Sequence, residues 1–289
     1  MCAKTKMIYD TDKWLKPYKD VIDRRHKMIL EMKERMSVDG KLCNGMNNHM
    51  FYGMHRDGNG GWVFREWAPN ATKIYLIGDF NNWKRTEAYA LKPIGGGNWE
   101  IRLSDMFLSH GTLYKLFIEW PGGGGERLPA YLNRAVQDPV TKQFCAQVWE
   151  PPQPYQWRGK KPGKRANPLI YECHIGMAVE EEKVGTFEEF RLNVLPKVAE
   201  LGYDTLQIMA LQEHPYYGSF GYQVANFYAL SSRFGTPEEF KALVDDAHDL
   251  GIAVVMDIVH SHSVDNEAEG LGLFDGKETL YFYDGWQGH

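Results

Sequence analysis

The feature that most constrains the fold is a hexapeptide that occurs twice. Gly185-Thr186-Phe187-Glu188-Glu189-Phe190 recurs fifty positions on as Gly235-Thr236-Pro237-Glu238-Glu239-Phe240. In each copy the threonine can cap a helix while the glutamate three residues on returns a bond to the cap backbone. Pro237 suits the first helical turn, where a missing N–H costs nothing. Each helix so begun meets a stop, Leu201-Gly202 or Leu250-Gly251, whose glycine can take the left-handed cap conformation. Apolar runs follow at once, at 205–210 and 252–259, and another at 169–175 precedes the first copy. Strand, helix, strand, long loop, helix, strand is the opening of a parallel sheet with helical crossovers.

Chemistry on such a sheet belongs at the C-terminal strand ends. The third run delivers Asp257, His260 and His262 where its apolar pattern stops. His174 follows the first strand and Gln212-Glu213-His214 the second, so all three groups are expected in one crevice. The long connection adds Pro215-Tyr216-Tyr217-Gly218-Ser219-Phe220-Gly221-Tyr222. Aromatic rings in a glycine-containing loop suit a sugar, whose C–H face stacks while its hydroxyls find polar groups. Asp257, His260 and His262 are also metal-ligand types, and a metal site or purely structural histidines remain alternatives. No Gly-x-Ser-x-Gly nucleophile motif is present, and Cys173 falls inside a predicted buried strand.

Upstream, Trp14, Leu15, Tyr18, Val21, Ile22, Met28, Ile29, Met32 and Met36 fall at helical spacing, with Asp10 and Asp12 as capping candidates and Gly40 as the stop. From 51 to 149 short strand-like runs (62–67, 73–77, 99–103, 114–120, 144–148) alternate with turn clusters such as Asp57-Gly58-Asn59-Gly60-Gly61. This is the pattern of an antiparallel, Ig-like β-sandwich. Residues 151–168, rich in proline, lysine and glycine, read as a boundary whose basic residues are solvated. The expected division is a helical segment over 1–46, a sandwich over 47–152, a linker over 153–168 and the first part of an α/β barrel over 169–289.

A net charge of −5 without a basic cluster argues against nucleic acid or an anionic membrane as partner. No apolar run approaches the roughly 18 residues of a membrane span, and the start has no secretory apolar region. Four cysteines with no Cys-x-x-Cys pair fit reduced thiols and a cytoplasmic location. The 13% aromatic content serves either core packing or sugar-stacking platforms.

Several segments together resemble the 1,4-α-glucan (glycogen or starch) branching enzymes of the α-amylase superfamily, glycoside hydrolase family 13. They are Tyr171-Glu172-Cys173-His174-Ile175-Gly176-Met177, Leu206-Gln207-Ile208-Met209-Ala210, Glu213-His214-Pro215-Tyr216-Tyr217-Gly218-Ser219-Phe220-Gly221-Tyr222, Ser231-Ser232-Arg233-Phe234-Gly235-Thr236-Pro237-Glu238 and Asp257-Ile258-Val259-His260-Ser261-His262. Phe64-Arg65-Glu66-Trp67-Ala68-Pro69 and Gly78-Asp79-Phe80-Asn81-Asn82-Trp83 resemble the carbohydrate-binding sandwich, family 48 type, that precedes the barrel in this group. The N-terminal helix suits the eukaryotic type.

The resemblance implies a (β/α)8 barrel of which about three strands fall within this chain. It implies cleavage of an α-1,4-glucan and transfer to a C6 hydroxyl through a covalent intermediate, with retention and without metal or organic cofactor. It places Tyr222 as the platform beneath the sugar at the cleaved bond, His262 on hydroxyls of that sugar and Asp257 as organiser of the site's base; His214, from its place in the expected crevice, is a further candidate substrate contact. Ser261, where most of the superfamily has asparagine, favours branching over debranching. The family's nucleophilic aspartate and acid glutamate belong to later strands, so both are expected beyond His289, and this chain alone is expected to be inactive and monomeric. Trp67, Trp83, Lys92, Trp99, Lys115 and Trp120 are the candidates for a glucan-binding face on the sandwich. A non-catalytic glucan-binding protein is the competing reading, with a debranching enzyme third.

Overall fold

The computed structural model describes residues 6–285, in two compact bodies that divide after Phe51. In the first, a 3-10 turn over Lys13–Tyr18 leads into the 18-residue helix Lys19–Met36. Pro17 keeps the turn from being a regular helix, since the residue before a proline is pushed out of the α region. Asp12 caps the turn by accepting from the Trp14 N–H at 2.9 Å, and Asp10 accepts from the Met7 N–H at 2.9 Å. The helix stops at Ser37, ahead of the expected Gly40, where the Ser37 hydroxyl bonds the Lys33 carbonyl at 2.6 Å.

The second body begins with the sandwich. One antiparallel sheet has the order β1-β2-β5-β4, from Gly53–Arg56 (β1), Gly61–Trp67 (β2), Lys92–Gly95 (β4) and Asn98–Ser104 (β5). The other has the order β3-β6-β9-β8, from Lys73–Gly78 (β3), Leu113–Trp120 (β6), Ala135–Gln137 (β8) and Phe144–Gln147 (β9), with Gly123–Arg127 (β7) also paired to β6. Period-two alternation turns Trp99, Ile101 and Leu103 of β5, and Tyr114, Leu116 and Ile118 of β6, into one shared core. Phe274 is fully buried in that core, and Leu271, Leu280 and Tyr281 pack against it. Asp275 fastens the segment by accepting from the Asn70 N–H at 2.8 Å. The 271–281 stretch, which falls within the span expected to open the barrel, is folded onto the sandwich.

Residues 151–168 form no helix or strand, but they are not the freely solvated linker expected. The fully buried Asp245 carboxylate accepts from the Tyr155 hydroxyl at 2.8 Å, the Gly159 N–H at 2.9 Å and the Arg158 N–H and Nε at 3.0 Å. Burying a carboxylate requires such partners. Arg158 also pairs with Asp246, which Arg191 meets at 2.6 Å.

Strands β10 (Ile170–Cys173), β11 (Thr205–Ile208) and β14 (Ala253–Met256) form a parallel sheet in the order β10-β11-β14, with Glu172, Gln207 and Val255 in register. Both capping boxes form: the Glu189 N–H donates to the Thr186 hydroxyl and the Glu239 N–H to that of Thr236, each at 3.2 Å. Gly202 and Gly251 take φ of +83° and +76° and close the helices. The second helix, Pro237–Asp249, is regular. The first is not: it opens as Phe187–Glu189, widens to a π turn over Phe190–Val194 and resumes as Leu195–Glu200. Pro196 has no N–H to give to the carbonyl four residues back, which favours the wider turn. Within the long connection, β12 (Gln212–Glu213) pairs antiparallel with β13 (Asn226–Leu230), a hairpin absent from the sequence reading.

Candidate functional site

Three of the expected site residues converge at the C-terminal end of the parallel sheet. Asp257 follows β14 directly, its N–H donating to the Ile208 carbonyl at 2.9 Å. Its carboxylate accepts from the Tyr222 hydroxyl at 2.9 Å and from Gln207 Nε2 at 3.1 Å. His262 Nε2 lies 2.7 Å from the Tyr222 carbonyl, and the Ser261 hydroxyl lies 2.8 Å from His262 Nδ1. Burial and donation to Asp257 push the Tyr222 phenol above its ordinary value, so the ring is a neutral donor at physiological pH. The loop reaches this position through Gly221, at φ +88°, where a side chain would collide with the Ala210 carbonyl. Tyr222 is half-buried and His262 exposed. The result is an aromatic face beside a carboxylate and an imidazole, all with polar partners, open on one side.

The remaining members of the expected crevice lie beneath it. His214 is fully buried, with Nδ1 2.8 Å from the Gln212 carbonyl. It is therefore not the substrate contact expected of it but part of the floor that carries the loop. His174 is buried too, ringed edge-on by Tyr217, Phe220 and Phe234 at 5.3–5.9 Å. Burial lowers the pKa of both imidazoles. Glu213, also fully buried, accepts from the Ser232 N–H at 2.8 Å and the Ser231 hydroxyl at 3.0 Å, with Arg233 at 3.5 Å. Burial raises its carboxyl all the same. Cys173 is a buried thiol pushed up to about 12, which removes it as a nucleophile. His260 stacks on Phe227 at 5.9 Å. Among the described residues no three or more His, Cys, Asp or Glu side chains are grouped as a metal site would require.

An aromatic cleft of about 470 Å³ adjoins this wall, lined by Tyr131, Phe227, Tyr228, His262, Tyr281 and Phe282 among others. Tyr131 stacks on Tyr52 and on Tyr228 with 4.9 Å between centroids in each pair. Sequence reading missed these rings, because Tyr131 lies about a hundred or more positions from its partners in the cleft.

The six candidates on the sandwich do not share one face. Trp99 is 8% exposed and its indole N–H donates to the Ala68 carbonyl at 3.0 Å, so it is a core residue and not a platform. Trp120 points inward with Leu116 and Ile118, with the Arg127 guanidinium 5.1 Å over its ring. Trp67 donates to the Gly96 carbonyl at 3.1 Å and meets Tyr281 edge-on at 6.3 Å, while Lys92 is exposed on β4. Lys115 is buried but lies on the outward side of β6, bonded to Glu126 at 3.0 Å. Trp83 alone combines exposure (38%) with an unusual backbone: it and Asn82 both have positive φ, +59° and +52°. A bulky residue held there is strained. It borders a groove with Arg85, Phe117 and Glu126.

Two family models match the chain: Carbohydrate-binding module 48 (Isoamylase N-terminal domain) over residues 51–139, and Alpha amylase, catalytic domain, over 192–271. A 1,4-alpha-glucan-branching enzyme of Yarrowia lipolytica is 40% identical over 98% of this chain and 42% of its own length. One of Dictyostelium discoideum is 39% identical over 99% of this chain and 43% of its own. The chain is a homologue of the 1,4-alpha-glucan-branching enzymes. It spans less than half the length of these relatives. The catalytic module of the glycogen-degrading pneumococcal virulence factor SpuA superposes with a TM-score of 0.63 at 20% identity, over 88% of this chain and 41% of that one. That likeness concerns the fold: a sandwich followed by the opening strands of an amylase-type barrel. No helix among the described residues is long and apolar enough to cross a membrane.

Proposed function

We propose that this branching-enzyme homologue supplies the glucan-holding half of a site that cleaves an α-1,4-glucan and passes the segment to a C6 hydroxyl with retention. The observation that carries the reading is the Tyr222–Asp257–His262 group at the C-terminal end of a parallel sheet. Tyr222 stacks under the sugar, His262 bonds its hydroxyls, Asp257 organises the base of the site through Tyr222 and Gln207, and α-1,4-glucan or glycogen is the partner. In a retaining reaction a carboxylate attacks the anomeric carbon while an acid protonates the leaving oxygen. The resemblance assigns neither role to a residue up to His289, so the 289-residue chain by itself binds glucan without transferring it.

The working division of the chain is a helical segment over 1–46, a carbohydrate-binding sandwich over 47–152, a connecting segment over 153–168 and the barrel start over 169–289. The sandwich contributes a second glucan contact centred on Trp83, with Lys115 beside it through Glu126. Trp67 and Lys92 lie on the opposite sheet and make any contact separately. The cytoplasm and a monomeric state complete the proposal.

Affinity electrophoresis in glycogen gels tests it. Trp83→Ala, at an exposed and strained position, is expected to weaken retardation about tenfold while far-ultraviolet dichroism stays unchanged, as loss of one stacking ring predicts. Tyr222→Ala is expected to weaken what remains. Unchanged retardation in both, or transfer activity in the pure chain, overturns the proposal.

A further inference from the structure

A hydrogen-bonded line crosses the sheet beyond the Tyr222–Asp257 pair. Gln207 stands on the central strand, and its Nε2 lies 3.1 Å from Asp257 Oδ1 and 3.3 Å from Glu172 Oε1. A primary amide nitrogen carries two protons and accepts nothing. One neutral group therefore donates to carboxylates arriving from both flanking strands. Asp257 Oδ2 takes the Tyr222 hydroxyl at 2.9 Å, and the Tyr222 carbonyl meets His262 at 2.7 Å. The line runs Glu172, Gln207, Asp257, Tyr222, His262 and draws on all three strands and the aromatic loop. Glu172 and Asp257 both act on the Tyr222 phenol, raising it.

We propose that Gln207 is a positioning residue: its amide separates two like charges and fixes the plane of Asp257, which in turn fixes the Tyr222 ring for a sugar. This rests on Tyr222 as the platform proposed above. Without the amide protons, Asp257 has one donor instead of two and faces Glu172 with nothing between, a repulsion that rotating the carboxylate relieves. The chemistry demands a donor at this position and not merely a side chain of that shape. Glutamate has the shape and lacks the protons until it is itself protonated. Methionine has nearly the length and no donor at any pH.

The test follows the Tyr222 ring in the whole chain labelled with carbon-13 tyrosine, the signal being assigned as the one missing from Tyr222→Phe. Gln207→Glu is expected to displace that signal at about pH 8 and to return it toward the wild-type position at about pH 5, since the introduced carboxyl, once protonated, donates one bond again. Gln207→Met is expected to displace it at both values. Should the methionine variant not fold, Gln207→Glu decides alone, because the reversal is read within one folded sample. A Tyr222 signal that Gln207→Glu leaves in place, or moves without reversal on acidification, overturns the proposal.

Maltoheptaose separates this inference from the reading it rests on. A Tyr222 signal that answers to Gln207→Glu but not to maltoheptaose upholds the bridge and counts against the platform. A signal that answers to maltoheptaose and ignores Gln207→Glu overturns the bridge alone. With both in force, maltoheptaose affinity at about pH 8 should fall about tenfold in Gln207→Glu and recover at about pH 5.

Discussion

Strands of similar composition end in different states in the sandwich and in the parallel sheet. β3 has five of its six residues buried. β14 reads Ala-Val-Val-Met, quite as apolar, yet Val255 is 46% and Met256 38% exposed. The cause is their neighbours. β3 is paired with β6 and packed into a core closed by the opposite sheet and Phe274. β14, like β3, pairs with a strand on one side only, so the difference lies in its faces, which leave Val255 and Met256 open; β10 is an edge strand as well, and Ile170 is 46% exposed. Burial is thus decided by what faces a strand as much as by its own residues. The same holds for the histidines: His174 and His214 have packed walls around them, while His262 at the next strand end is exposed.

The largest expected effect breaks or upholds that comparison directly. Phe64→Ala, in the sandwich core at 0% exposure, is expected to cost about 3–5 kcal/mol. Val255→Ala, on the exposed strand, is expected to cost below about 1 kcal/mol. Denaturant unfolding of the two variants measures both, and equal losses would mean that the two sheets are equally consolidated.

The next effect is smaller and sharpens the contrast through pH. Glu66 is fully buried in the sandwich, and burial pushes its carboxyl up to about 7, although the Trp67 and Ala130 N–H groups each donate to it at 2.9 Å. Its folded value lies above its unfolded one. Its contribution is therefore complete below about pH 4.5 and is lost as pH rises through 7, amounting to at most about 3 kcal/mol. Beside the parallel sheet the sign is reversed. His174 and His214 are lowered, so the unfolded chain takes up protons near pH 6.5 that the folded chain refuses, and stability there falls on acidification. Glu213, raised by burial, shares the sign of Glu66 and offsets part of that loss in acid. Hydrogen exchange resolved by segment should show the sandwich better protected at pH 5 than at pH 8, and Glu66→Gln should level the two. A wild-type sandwich equally protected at both would remove Glu66 as the cause.

Much of this was legible in the sequence, and the reasons for the exceptions are physical. Capping boxes, glycine stops and apolar runs are local signals, and the three parallel strands follow from them. Asp257 and His262 stand out because polar residues end an apolar run, and Tyr222 because of the motif around it. Parity along β5 and β6 could have set Trp99 and Trp120 inside, since each shares a face with aliphatic core residues. No local signal marks Glu213 or Asp245 as buried. A charged residue enters a core only when distant groups supply its hydrogen bonds, here Ser231 and Ser232 for one and residues 155–159 for the other. The β12–β13 hairpin was missed for the same reason: a two-residue strand ending in glutamate reads as surface. His174, His214 and His262 follow three strands in equivalent ways, and only packing tells a floor from a wall.

The smallest expected effect on stability concerns the edge of the parallel sheet and is largest in another measurement. The outer sides of β10 and β14 offer unpaired backbone groups next to exposed apolar residues, Leu169 at 62% and Ile258 at 58% among them. An apolar strand edge is a template for further strands, and a lysine placed on it resists pairing by charge. Val255 shares a face with Gln207 and Asp257, so a charge there would disturb the site; Met256 points to the other side. Met256→Lys is therefore expected to change the unfolding free energy by less than about 0.5 kcal/mol while lowering the aggregated fraction measured by light scattering several-fold. If aggregation is unchanged, the sheet edge is not what drives association. A large loss of stability would show instead that β14 is packed as firmly as the strands of the sandwich, and the contrast between the two regions would fail at its sharpest point.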